Sequence, residues 1–350
     1  MDGSMVGASR LGAVTVAPAA ATSTVGPVRA PGIAAILLLV LAGCGSAAVD
    51  APAPSFYAAS PTPAEQPGTL LRTGPLGVPV AGARALRFLY VSASSGGAAR
   101  VCGGMLFLPT ARPPRGGRPV VAWAHPVLGA NGAPSRSATP LADMEPWLDQ
   151  MMARNWVVVA TDYTGVGTRA QEWLDGRSEA QDLSDAVLAT RQVPGAHLNG
   201  RWVAWGHSYG GHAALWAGSL ASTIAPGLDL VGVAAAAPVA ELVPLEHAQR
   251  MLWAPSLSAE TPPPLPPGVP AFIAQGTSDT VVPAPTTALL AQQWCTAHVV
   301  LQMDWLHGVH HDDVAARASG DVVAWIAARF RGLPARSTCA QVPPVEAAVG

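Results

Sequence analysis

From residue 70 onward, short apolar runs alternate with stretches whose apolar positions recur every three or four residues. Eight runs read as strands: ALRFLYV, VCGGMLFL, PVVAWAH, WVVVATD, RWVAWGH, LVGVAAAA, PAFIAQG and HVVLQM. The later ones are apolar at nearly every position, the pattern of strands covered on both faces. Helical spacing predicts helices over 140–153, 178–192, 209–222, 284–294 and 313–331. Such alternation predicts an α/β fold, a mostly parallel eight-stranded sheet with helices on both faces. The first two runs have no helix between them, so an antiparallel hairpin at one edge is expected. No internal repeat and no second domain of comparable size is legible.

The first sixty residues break this pattern. Arg10 and Arg29 precede an unbroken apolar run, Ile33 to Leu41. It is too short for a membrane-spanning helix, which needs about 20 residues, and has the length of a signal-peptide core. The run ends in Leu41-Ala42-Gly43-Cys44, small residues leading into a cysteine, which resembles the lipobox of bacterial lipoproteins. That resemblance implies cleavage before Cys44, a lipid on its sulfur, and attachment to a membrane on the exported side: the cell surface or the periplasm. Met5 is a second candidate start. The Ala-, Pro- and Ser-rich segment after Cys44 reads as a tether of low order. The expected organisation is a signal peptide over 1–43, a tether over 44–68, one folded domain over 69–340 and a tail over 341–350.

Composition then narrows the function classes. The chain has 350 residues, half of them apolar, enough for one large domain with a full core. Charged residues make up 12%, the formal net charge is −2, and every basic residue is arginine. No basic field is available for nucleic acid, and no run of arginines points to phosphate recognition. Besides Cys44, the exported chain holds Cys102, Cys295 and Cys339. Spacing alone does not choose a pair. Cys102 sits in an apolar alternating stretch and reads as a buried thiol. Cys295 and Cys339 flank the last strand and helix, so a disulfide between them would staple the C-terminal end.

Ligands of such sheets bind beyond the carboxyl ends of the strands. The strand RWVAWGH runs directly into Gly206-His207-Ser208-Tyr209-Gly210 and then a helix, the only GxSxG in the chain. A serine on a sharp strand-to-helix turn is pushed up at the sheet edge, and the helix N-terminus favours negative charge developing beside it. A serine needs a base and an orienting acid. Asp279 follows the strand PAFIAQG, where a carboxylate is able to reach an imidazole. After HVVLQM comes His307-Gly-Val-His310-His311-Asp312-Asp313. His311, directly before the last helix, is the expected base, with His310 and His307 as alternatives. Tyr209 is the expected first oxyanion donor through its amide, and Val127, in the loop after PVVAWAH, the second, because Pro126 has no N–H. His207 is expected to pack beside the turn, and Asp162 to fix a loop. The HGVHHDD cluster lacks further ligands at metal spacing, so no metal and no cofactor are expected.

These stretches resemble the secretory lipase family, α/β-hydrolases related to lipase A. The similar segments are PGTLLRTGPL, VVAWAH, VVVATDYTGVGT, GRSEAQDLSDAV, WGHSYGGHAALWAGSLA, LVGVAAAAP, AQGTSDTVVP and HDDVAARASGDVVAWIAARF, spread over most of 67–339. The resemblance implies the α/β-hydrolase fold, lipid-ester substrates, and nucleophile, acid and base roles for Ser208, Asp279 and His311. Two departures stand out. Pro126 replaces a glycine usual in relatives, and Gly132 stands where a cysteine is common. Relatives also carry a large helical cap, whereas here only residues 238–269 lie between LVGVAAAA and PAFIAQG. A short amphipathic helix around Leu242 to Trp253 is the expected lid.

A serine ester hydrolase acting on a small ester or lipid is thus the leading expectation. A serine peptidase of the same fold is the second, although no propeller or large cap accompanies it. A catalytically silent binding lipoprotein is the third, opposed by the intact serine, aspartate and histidine.

Overall fold

The structure, a computed structural model, describes residues 56–57, 65–126, 141, 143–163, 174–241 and 257–343. Its centre is a nine-stranded sheet. The strands are β1 (Leu70–Pro75), β2 (Ala83–Ala93), β3 (Ala99–Pro109), β4 (Arg118–Ala124), β5 (Val157–Thr161), β6 (Leu198–His207), β7 (Asp229–Ala236), β8 (Ala271–Gly276) and β9 (Leu301–Leu306). They lie in the order β1-β2-β3-β5-β4-β6-β7-β8-β9. β1, β2, β3 and β5 pair antiparallel, and the pairs from β5 through β4 to β9 are parallel.

Two expectations are corrected here. The sheet has nine strands rather than eight, because LLRTGP forms β1. That strand is half exposed and carries Gly74 and Pro75, so it shows neither a continuous apolar run nor clean alternation. The β2–β3 hairpin consequently lies one strand in from the edge.

Helices cover both faces. Residues of α2 (Gly176–Thr190), α3 (Tyr209–Ile224) and α4 (Ala284–Thr296) pack into one apolar layer. Those of α1 (Glu145–Ala153), the single turn α5 (Val314–Arg317) and α6 (Ser319–Phe330) pack into the other. The expected helix over 313–331 is thus broken at Ala318. The expected helix over 140–153 starts only at Glu145, with Pro146 in its first turn, where the missing N–H costs nothing. In the second layer Trp123 packs between Trp147 and Trp205 with tilted ring planes, the centroids 4.8 and 5.4 Å away. At the opposite end from the site, buried Arg118 donates to the carbonyls of Pro109, Ala111, Gly195 and Ala196 and to Asn155 Oδ1, tying three loops together.

Cys295 and Cys339 form a disulfide, and Cys102 is a buried thiol that donates to Asp182 Oδ1 at 3.3 Å. Two residues assigned to the tether are folded against the domain: the Arg87 guanidinium sits 4.2 Å over the Phe56 ring, and Tyr57 packs edge-on to Phe56. At the other end Gln292 Nε2 donates to the carbonyl of Pro343, within the expected tail. Cys44, the signal segment and the lid helix expected over Leu242 to Trp253 lie outside the described residues. Among the described residues, no helix is long and apolar enough to cross a membrane.

Candidate active site

Parallel pairing brings the ends of β4, β6 and β7 level: Ala124 faces Gly206, which faces Ala235. The chain turns sharply there. Ser208 has φ 58° and ψ −119°, a conformation that costs a non-glycine residue of order 1–3 kcal/mol and is held by surrounding structure. Its amide donates to the carbonyl of Ala236 at 2.9 Å, and α3 begins at the next residue. Gly210 is required by crowding, because a Cβ there would collide with the carbonyl of Ala124.

β8 and β9 end level as well, Gly276 opposite Leu306. A side chain at Gly276 would collide with the carbonyl of Val309, so glycine lets the two following loops cross closely. Those loops carry the acid and the base. His311 Nε2 lies 2.9 Å from Ser208 Oγ, and its Nδ1 donates to Asp279 Oδ2 at 2.8 Å. A carboxylate only accepts, so the proton sits on Nδ1 and Nε2 accepts the serine hydroxyl. His307 and His310 are exposed, and only His311 of the three is buried.

Asp279 is fixed on every side. Its Oδ1 accepts from the amides of Val281 and Val282 at 2.9 and 2.8 Å, and Gln275 Nε2 donates to Oδ2 at 3.2 Å. Burial pushes its pKa up, but the His311 hydrogen bond and charge and the two amides outweigh that and hold it below the ordinary range. Gln275 is in turn gripped by Thr287, whose hydroxyl donates to its Oε1 at 2.6 Å. A polar residue inside the apolar run PAFIAQG was the signal for it.

His207 lies beside the turn, its ring centroid 5.0 Å from that of His311, and Nε2 donates to the His311 carbonyl at 3.0 Å. Burial, and then the neighbouring His311, push its pKa down to about 4, so it is neutral near pH 7 and buttresses the base's backbone. Asp162 is fully buried at the end of β5, its amide bonded to the carbonyl of Gly103.

A second buried network, missed in the sequence, begins one turn into α3. His212 Nδ1 lies 2.7 Å from Glu179 Oε2, and Nε2 lies 2.8 Å from the carbonyl of Glu260. The Glu179 carboxylate only accepts, so Nδ1 carries a proton, while Nε2 faces both the Glu260 carbonyl and the indole N–H of Trp216, 3.0 Å away. Burial works against the charged form of His212, and Glu179 outweighs it, raising the pKa.

A cavity of about 420 Å³ opens onto Ser208. Pro126, Asp143, Pro146, His207, Val281 and His311 are among its lining, with Asp312, Ala315 and Ala316. Tyr209 is buried directly behind the serine, and the residue expected as second oxyanion donor, Val127, lies outside the described residues. Among the described residues, no three His, Cys, Asp or Glu side chains are grouped to hold a metal ion.

The secretory lipase family model matches residues 134–251 and 262–338, more than half of the chain and both blocks that carry Ser208, Asp279 and His311. The chain belongs to the secretory lipase family. It is therefore a carboxylic ester hydrolase, and the family's secretory character carries export with it. No curated protein matches the sequence. Among solved structures it is similar to Candida antarctica lipase A in its closed state, with a TM-score of 0.63 and 15% identity over 81% of this chain and 87% of that one. It is also similar to LipA from Xanthomonas oryzae, described as a rice cell wall degrading esterase, with a TM-score of 0.60 and 16% identity over 77% of this chain and 100% of that one. At these identities the likeness speaks for the α/β-hydrolase fold alone.

Proposed function

We propose that this secretory lipase family member is a serine esterase that works through an acyl-enzyme on Ser208 and prefers short to medium acyl chains. The observation that carries the reading is the unbroken line of hydrogen bonds Ser208–His311–Asp279, at 2.9 and 2.8 Å. Ser208 Oγ attacks the ester carbonyl carbon while His311 Nε2 takes its proton. Asp279 holds the imidazole in the tautomer that accepts it and stabilises the imidazolium. The carbonyl oxygen becomes an oxyanion, received by the amide of Tyr209 and a second amide, assigned to Val127. As the C–O bond breaks, His311 returns the proton to the leaving alcohol. Water, activated by the same histidine, then releases the acid.

The acyl preference rests on the cap. Its described second half lies along the body: the carbonyl of Pro263 accepts from Ser219 on α3, that of Pro262 from Trp294 on α4, and Leu265 is buried. None of residues 257–269 lines the Ser208 cavity, whose 420 Å³ is near the lower end of ligand sites, roughly 300–1,000 Å³. Each further methylene contributes about 0.8 kcal/mol only if it is sheltered. A series of p-nitrophenyl esters from acetate to palmitate, run below and above the point of aggregation, tests this. kcat/KM is expected to peak at short to medium chains with no jump at the interface. An optimum at palmitate with interfacial activation overturns it.

Cell attachment belongs to the same reading. Residues 1–43 are removed on export, Cys44 carries the lipid, and residues from Cys44 toward 68 link it to the catalytic domain over 69–340. Support for this comes from the Leu41-Ala42-Gly43-Cys44 sequence after the apolar run.

A further inference from the structure

The parallel strands β4 to β9 start at the end of the sheet opposite Ser208, and charge is divided unevenly between the two ends. The turns leading into β4, β5 and β6 carry Arg112, Arg115, Arg154, Arg191 and His197, all exposed, and no carboxylate. Asp229 opens β7, and Arg201 pairs with it at 3.4 Å. Asp149 on α1 lies five residues, more than a helical turn, before Arg154. The cavity at Ser208 is lined instead by Asp143 and Asp312. A chain of net charge −2 thus keeps a basic end that its composition conceals.

A pocket of about 360 Å³ opens at this end, lined by Arg84, Arg112, Arg118 and His197 and by no carboxylate. Arg118 is buried, and its five N–H groups go to four backbone carbonyls and Asn155 Oδ1. Every acceptor is neutral, so its charge meets no counter-ion among the described residues, and a buried charge is costly without one. An anion in the pocket supplies that counter-charge, bonded by the exposed Arg84 and Arg112 rather than by Arg118. Arg84 is held at the rim by its Nη2, which donates to the carbonyl of Pro194, next to the Gly195 carbonyl that Arg118 holds. The planar fork of arginine suits the oxygens of a phosphate.

The surroundings say where such a phosphate comes from. Three large apolar side chains are exposed among the described residues, and one of them, Val281, lines the Ser208 cavity. The other two are at the basic end: Val300 directly precedes β9, and Leu333 follows α6, whose last carbonyls bond Arg201. Arginines around scattered apolar side chains suit a bilayer surface, where headgroup phosphates meet the acyl boundary. The chain is also long enough. Phe56 stands twelve residues after Cys44 and lies under Arg87, four residues into β2. Those four residues cover about 13 Å of strand, whereas twelve extended ones span about 40 Å.

We infer that this basic end is a docking surface for anionic phospholipid, with a headgroup phosphate in the pocket of Arg84, Arg112 and Arg118. The domain then stands on the membrane with Ser208 turned to the aqueous side, where soluble esters arrive. That orientation deepens the attachment reading above and rests on it, whereas the surface itself does not need the lipid on Cys44.

The test uses the exported chain carrying Cys44→Ser, which has no lipid to insert. It is floated with vesicles of phosphatidylcholine alone or mixed equally with phosphatidylglycerol. Binding is expected to the mixed vesicles only. It is expected to fall about tenfold or more when NaCl rises from about 0.1 to about 1 M, which shortens the screening length from about 10 to about 3 Å. Each arginine at an anionic surface is worth about fivefold in partitioning, so Arg112→Gln/Arg115→Gln is expected to bind about 25-fold more weakly. Arg177→Gln/Arg317→Gln removes the same charge at the catalytic end and is expected to stay within about twofold. Hydrolysis of p-nitrophenyl butyrate is expected to run at the same rate with and without bound vesicles. No preference for the mixed vesicles, or equal losses in the two pairs, overturns the inference. So does inhibition of hydrolysis on binding, because Ser208 would then face the bilayer. Release of the protein from vesicles by millimolar inorganic phosphate makes the pocket a site for free phosphate and overturns the membrane assignment. Labelled palmitate on wild type with no vesicle binding by the Cys44→Ser chain sinks the surface and leaves the anchor standing. Vesicle binding with no palmitate sinks the anchor and leaves the surface standing.

Discussion

Replacing Asp279 with asparagine reverses one hydrogen bond and leaves the rest of the site in place. Asp279 Oδ1 accepts two backbone amides, from Val281 and Val282, so the amide oxygen of an asparagine takes that position. Its NH₂ is then forced to the Oδ2 position, facing His311 Nδ1 at 2.8 Å and Gln275 Nε2 at 3.2 Å. A donor facing Nδ1 selects the imidazole tautomer with the proton on Nε2. That nitrogen, 2.9 Å from Ser208 Oγ, is then unable to accept the serine proton. The same tautomer reversal in a serine protease lowers kcat by about 10⁴, equivalent to about 5.5 kcal/mol in the barrier. Asp279→Asn is therefore expected to lower kcat for p-nitrophenyl butyrate by 10³–10⁴ at pH 8, roughly the loss that tautomer reversal gives, with KM changed little. The assay is initial-rate kinetics beside a thermal melt. A folded variant with kcat within tenfold of wild type refutes the assignment of Asp279 as the orienting acid.

Two further outcomes follow from other groups. Buried Asp185, whose carboxylate accepts from Ser92 and Gln181, has its pKa raised by burial from 3.8 to about 7. The folded chain thus keeps a proton that the unfolded chain releases, so stability falls as pH rises from about 4 to about 7, by up to about 4 kcal/mol. Asp185→Asn is expected to gain on wild type in melting temperature between pH 4 and pH 8; an offset independent of pH contradicts this. For the anchor, Cys44→Ser is expected to move the protein from the membrane fraction to the soluble or secreted one and to stop incorporation of labelled palmitate. An unchanged membrane fraction would mean that another feature holds it.

Much of the fold was legible because parallel strands buried on both faces leave continuous apolar runs, as in PVVAWAH and WVVVATD. The candidate site was legible for a related reason: Ser208, Asp279 and His311 each stand just past such a run, where this sheet presents side chains to a ligand. β1 escaped because an edge strand with one covered face and a Pro-Gly composition resembles a loop. Among the histidines of HGVHHDD, sequence gives three neighbours of equal chemistry, and only the path of the loop over Gly276 turns His311 inward. Glu179 and His212 looked like ordinary helical residues, since their pairing joins positions 33 residues apart. Arg118 was equally silent, because all its partners but the Asn155 side chain are backbone carbonyls that any sequence would offer.

The central claim is that Ser208 is acylated during turnover. Its most direct test is whole-protein mass spectrometry of wild type and Ser208→Ala after mixing with p-nitrophenyl butyrate and quenching in acid, beside steady-state rates. The account predicts a butyryl adduct on the Ser208 peptide of wild type, none in the variant, and a rate in the variant lower by about 10⁶. A variant that still turns over ester at a substantial fraction of the wild-type rate, or that carries the adduct elsewhere, would contradict it.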